Sequence, residues 1–204
     1  MTRTYVRRIT LSIAAGAAAL LLAAGCGDDD MGGMDHGSGS NTGGTATASS
    51  TGTFNDADVT FAQNMIAHHQ QAVEMATLAG TSASSAEIKN LASQIKAAQQ
   101  PEIDKMTGWL TAWGKPTAPM GGHSGMTMPG MASDTEMNKL KTASGADFDR
   151  QFARMMIAHH NGAVAMAKEV RATGSNPDVK ALAADIEKTQ SAEVATLQGL
   201  LDKM

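Results

Sequence analysis

The sequence predicts an all-α protein, a four-helix bundle made of two duplicated αα-hairpins, and three observations carry that reading. The chain aligns with itself at an offset of 91 residues, so that residues 58–76 match residues 149–167 at 12 of 19 positions; one supersecondary unit has been used twice. Within each unit the apolar residues recur at helical spacing, as in Phe61, Met65, Ile66, Ala72, Val73 and Ala76, then Ile88, Leu91, Ile95 and Ile103, and no stretch alternates like a strand. A hairpin of this kind cannot bury its apolar stripe alone, so the two should dock on each other.

The elements follow in chain order. Residues 1–25 read as an export signal, with Arg3, Arg7 and Arg8 ahead of an apolar run. That run ends at Leu22-Ala23-Ala24-Gly25-Cys26. This stretch resembles the lipobox of bacterial lipoproteins, although Leu22 stands one step further from the cysteine than usual; the resemblance implies that Cys26 is lipidated and holds the protein on the outer face of the cell membrane. Residues 26–53 are Gly, Ser, Thr and Asp with little to bury, the composition of a disordered tether, punctuated by Met31, Met34 and His36.

The first hairpin is expected over residues 54–113. Asn55, Asp56 and Asp58 can cap its first helix, Gly80 can end it, and Ser84 with Glu87 is spaced as a capping box for the second helix. Pro101 inside that second helix predicts a kink or local unwinding. A long crossover, residues 114–146, comes next, as in ferritin-like bundles; Ser133 and Glu136 predict a short helix near its end. In the second hairpin, residues 147–204, Asp147 should open the first helix, Gly174 close it, and Asn176-Pro177 start the last one.

Composition narrows the function. The chain of 204 residues has a net charge of −4 and seven aromatic residues, and removing the signal leaves 13 basic against 20 acidic residues. Neither a basic phosphate-reading stripe nor a base-stacking platform is present, so nucleic acid is not an expected partner. The single cysteine excludes a disulfide framework and a cysteine zinc site. No nucleophilic cysteine, serine elbow or phosphate loop occurs. The Glu-x-x-His pattern of carboxylate-bridged di-iron proteins is missing too, because Met65 and Met156 stand three residues before the histidines.

What the chain does have is imidazole and thioether in quantity. His68-His69 and His159-His160 lie in the duplicated helices, with Met65 and Met156 one turn before them and Met75 and Met166 about two turns after. Adjacent helix positions diverge by about 100°, so one ring of each pair is expected to face the interior and the other the flank. Gln99 and Glu102, with their counterparts Gln190 and Glu193, can supply oxygen ligands or hydrogen bonds to the rings. The bland alternative is that the methionines fill the core and the histidines are hydrogen-bonded interior groups. Met120, His123, Met126, Met128 and Met131 lie in a Gly/Pro-rich stretch of the crossover with no core to fill. Thioether sulfur suits Cu(I), and imidazole suits both copper states. Outside the cytoplasm, methionine keeps a soft donor that a thiol would lose to oxidation.

The motifs Met65-Ile66-Ala67-His68-His69 and Met156-Ile157-Ala158-His159-His160, with Ser144-Gly145-Ala146-Asp147-Phe148-Asp149 before the second copy, resemble the bacterial family named domain of unknown function 305. That resemblance implies a ferritin-like bundle over about residues 54–204, exported and often lipid-anchored, with CopM-related periplasmic copper binders among its relatives. It points to Met65, His68, His69 and Met75 and their second-half counterparts. The reading is therefore an extracytoplasmic binder of copper, as Cu(I) first and Cu(II) or Ag(I) after it, that buffers or passes on the ion; its protein partner is unknown. A ferritin-like metal-dependent redox enzyme and a metal-free scaffold lipoprotein are the alternatives.

Overall fold

A computed structural model describes residues 52–118 and 128–204. The export signal, Cys26, the tether and the crossover residues Met120, His123 and Met126 lie outside the described residues. Five helices follow in order: α1 (Asp56–Ser82), α2 (Ala86–Ala112), the short α3 (Asp134–Thr142), α4 (Gly145–Thr173) and α5 (Pro177–Leu201). No strand occurs among the described residues, and none of the described helices is long and apolar enough to cross a membrane.

Helix boundaries follow local chemistry. Asn55 caps α1 by accepting from the Asp58 N–H, and Asp58 returns the bond to the Asn55 N–H, a reciprocal capping box. Ser133 and Glu136 make the same box at α3, as expected from the sequence. Asn176 caps α5 ahead of Pro177, and Gly174 closes α4.

Other boundaries differ from the sequence reading. α1 runs through Gly80 to Ser82; a glycine costs a helix about 1 kcal/mol but does not have to end it. Ser85 rather than Ser84 caps α2, because the Ser84 hydroxyl and amide are taken by Asp149 of the other hairpin. α4 opens at Ser144-Gly145, leaving Asp147 inside the first turn, paired with Arg150. α2 stays helical through Pro101, without the expected unwinding.

Packing puts α1 and α4 in the middle. α1 lies along α2 and α4, α4 lies along α5, and α2 barely meets α5. Two apolar clusters result. One gathers Phe61, Met65, Ile103, Met106, Trp109, Val170 and Leu182, from the start of α1, the end of α2, the end of α4 and the start of α5. The other holds Met75, Ile88, Ile95, Phe148, Phe152, Met156 and Leu197 from the opposite ends, together with Met137 and Leu140 of α3. α1 and α4 are therefore antiparallel, and their midpoints, where neither cluster reaches, carry the histidine pairs.

The two hairpins also tie each other's turns. Asp58 of α1 accepts from the Ser175 and Asn176 amides at 3.0 and 3.1 Å in the α4–α5 turn. Asp149 of α4 accepts from the Ser84 and Ser85 amides at 3.1 and 2.9 Å in the α1–α2 turn. The duplicated aspartates thus act across the approximate two-fold relation of the repeat.

Candidate functional site

Between the two apolar clusters lies a polar layer that spans the bundle. His68, His69, His159 and His160 are all 0% exposed, and Gln99 and Gln190 are buried beside them. The expectation that one ring of each pair faces the flank fails, because the flank of α1 is covered by α2 and that of α4 by α5. His68 and His159, from the two central helices, stack with ring centroids 3.6 Å apart and tilted by 34°. His69 turns toward α2, where its Nε2 lies 2.7 Å from Glu102 Oε2. His160 turns toward α5, its Nε2 likewise 2.7 Å from Glu193 Oε2, but the ring N–H points off that line and makes no well-directed hydrogen bond. Carboxylate, imidazole, stacked imidazole pair, imidazole and carboxylate form a row, with the two glutamates partly open to solvent.

A short strap from the crossover covers one side. Met128 and Met131 are half-buried, and the Met131 N–H donates to the Met128 carbonyl at 3.2 Å. With Pro129 second and Gly130 third at φ +77°, the segment has the composition and hydrogen bond of a type II turn. His68 Nε2–H donates to the Pro129 carbonyl at 3.1 Å. Gln71 holds both backbone groups of Ala132, donating to its carbonyl and accepting from its N–H, each at 2.8 Å.

These contacts dictate which ring atoms are available. A carbonyl or carboxylate oxygen only accepts, so the Nε2 of His68 and His69 must carry a proton, and in the neutral ring the lone pair sits on Nδ1. The Nδ1 atoms of all four rings, both nitrogens of His159, both polar atoms of Gln99 and the Gln190 oxygen are buried without a hydrogen-bond partner. Buried polar groups are normally satisfied, and here the unpartnered donors and acceptors are concentrated in one layer.

Electrostatics keep the central rings neutral. Burial pushes the His68 imidazole down to about 3, opposed by its bond to Pro129 and reinforced by nearby His69 and His160. His159 is lowered well below its ordinary value, first by burial and then by the neighbouring rings His68, His160 and His69. Neutral imidazole is the form that ligates metal.

The remaining sequence candidates divide. Met65 and Met156 are fully buried at the edges of the layer, one turn before the histidines, while Met75 and Met166 sit deeper in the opposite clusters. Met166 also borders a surface groove of about 350 Å³ that none of the layer's residues lines. Among the described residues, no three His, Cys, Asp or Glu side chains gather as ligands around one point. Gln71, Pro129, Gly130 and Gly162 did not emerge from the sequence as site residues. The signal was present, since the repeat breaks immediately after the histidines, Gln70-Gln71 becoming Asn161-Gly162.

The family profile described as Domain of unknown function (DUF305) matches residues 58–201. The chain belongs to this family. Solved DUF305 structures share its fold. That of Streptomyces coelicolor is 35% identical with a TM-score of 0.68, covering 72% of this chain and 93% of its own. A fragment from Deinococcus radiodurans is 32% identical with a TM-score of 0.67, covering 75% and 100%. CopM in its Cu(I)-bound form is 34% identical with a TM-score of 0.61, covering 72% and 96%; CopM has also been solved bound to Cu(II) and to Ag. No functionally curated protein matches the chain.

Proposed function

We propose that this DUF305 protein is an exported, lipid-anchored binder of copper, taking Cu(I) or Ag(I) at its imidazole layer and buffering or passing on the ion. The observation that carries the reading is the set of orphaned Nδ1 atoms of His68, His69, His159 and His160 in one buried layer. Both flanking rings have a carboxylate near Nε2, and at His69 it is hydrogen-bonded, an arrangement that orients a metal-ligating imidazole and raises its basicity. Hard cations want about six or more oxygen donors, and tetrahedral zinc wants about three or four nitrogen, oxygen or thiolate donors. Two imidazole nitrogens with a thioether from Met65 or Met156 instead suit a soft, low-coordinate monovalent ion.

CopM, about a third identical, is a copper- and silver-binding relative of the same fold. Export is supported by the apolar N-terminal run and by the Streptomyces relative, which is described as a candidate secreted protein. In this reading residues 1–25 are removed, Cys26 carries the lipid, residues 26–53 tether a bundle of residues 54–204, and Met120, His123, Met126, Met128 and Met131 of the crossover capture the ion by exchange.

Competition for Cu(I) against a chromophoric chelator tests this. Wild type is expected to withdraw the ion stoichiometrically. A His68→Gln/His159→Gln variant should bind at least about ten-fold more weakly, equivalent to 1.4 kcal/mol, and a variant with Met120, Met126, Met128 and Met131 changed to Leu should lose mainly rate. Weak uptake that is the same in all three proteins overturns the reading.

A further inference from the structure

The imidazole layer is sealed, so an ion can reach it only if something moves. Parting α1 from α4 would open both apolar clusters. The strap over residues 128–132 is attached differently. It contributes no fully buried side chain, and side-chain bonds from α1 hold it: Gln71 to both backbone groups of Ala132, and His68 to Pro129.

The opposite helix is shaped to receive it. A Cβ on Gly162 of α4 would fall 1.9 Å from the Pro129 carbonyl oxygen, and one on Gly130 would fall 2.4 Å from the Ala158 carbonyl oxygen. Two backbones meet here at a distance that only glycine permits. Gln71 and Gly162 occupy the same position in the two copies of the repeat, 91 residues apart. One copy supplies a clasp, the other a notch, and both serve the same strap. The strap also makes the two central rings unequal. His68 has its Nε2 occupied by Pro129, whereas both nitrogens of its stacking partner His159 are without hydrogen-bond partners.

We infer that residues 128–132 are the gate of the imidazole layer, clasped by Gln71 and seated in the notch at Gly162, so that their release admits and discharges the ion. This rests on the proposed function, which supplies the ion. Opening breaks hydrogen bonds without disturbing a helix, a local event of the kind that proceeds well below the cost of unfolding. It frees His68 Nε2 and carries half-buried Met128 and Met131 with it, so a thioether moves with the door.

Two substitutions open the gate by independent routes. Gly162→Ala leaves α4 a better helix but collides with Pro129; Gln71→Ala removes the clasp. Gly108→Ala, at an exposed position of α2 with nothing within 4 Å of the new Cβ, controls for helix propensity. Hydrogen exchange at the Ala132 amide reads the gate, and stopped-flow transfer of bound Ag(I) to excess chelator reads the ion.

Both gate variants are expected to exchange Ala132 faster and to release Ag(I) about ten-fold faster, the factor that losing one or two ordinary hydrogen bonds supplies; the control should match wild type. In the ring ¹⁵N spectrum, His68 Nε2 should lose its hydrogen-bonded signature in both gate variants. Release rates equal to wild type despite faster Ala132 exchange overturn the gate and leave the proposed function standing. Unchanged Ala132 exchange in both variants overturns the gate as well. A wild-type protein that takes up no Ag(I) overturns both.

Discussion

His68 and His159 stay neutral because the hydrocarbon that seals them from water cannot solvate an imidazolium, and that neutrality leaves each of the two central rings a lone pair. His69 and His160 differ instructively. Both have a glutamate oxygen 2.7 Å from Nε2, yet only the contact to Glu102 is well directed. Glu102→Ala should therefore destabilise the fold by about 1–3 kcal/mol, the cost of stranding a buried donor, while Glu193→Ala should cost less; urea midpoints of the two variants make the comparison. Equal losses would mean that the alignment of the N–H is irrelevant. At this scale the sequence was partly legible. The double histidines and their glutamates stood out because they recur at one offset in both copies. Gln71 and Gly162 did not, because a repeat comparison favours identities and these two matter through being different.

At the scale of elements, capping chemistry and apolar spacing account for the helices, and the departures have a common cause in tertiary contact. Ser84 looked like a cap for its own helix, but Asp149 from α4 claims it, and no local pattern encodes a partner 65 residues away. Asp149 stood among the repeat's identities, yet its task, holding the other hairpin's turn, became visible only once the hairpins were docked. Asp149→Ala leaves the Ser84 and Ser85 amides without their shared acceptor and is expected to cost about 3 kcal/mol, measured by chemical denaturation; a loss below about 0.5 kcal/mol, typical of a surface change, would show that the cross-hairpin tie is incidental. α3 is legible from its capping box, though not its role of filling the far end of the core. Leu140 is fully buried there, so Leu140→Ala should lose about 2–5 kcal/mol; a near-neutral result would make α3 a surface ornament.

For the whole molecule, the layer makes metal-free stability depend on acid. The folded-state pKa of His68, about 3, lies below its ordinary 6.5, and His159 is lowered too. Above 6.5 the folded and unfolded chains bind the same number of protons at these rings, so nothing is lost. Below it the unfolded chain gains protons that the folded chain refuses, and stability falls by up to about 1.4 kcal/mol per pH unit for each ring. Unfolding free energies at about pH 7.5 and about pH 5 should therefore differ before most carboxylates titrate; a flat profile would mean that the central rings accept protons in place. The fold could be read from the duplication because each hairpin repeats the same spacing, but the buried imidazole row depends on α1 and α4 crossing at their midpoints, which spacing alone does not specify. The most direct test of that row is the ring ¹⁵N spectrum of the protein titrated with Ag(I). The lone-pair Nδ1 resonances of the paired histidines should shift as one ion binds, and contradiction would be a spectrum in which only methionine methyl signals move while every imidazole nitrogen stays where it was.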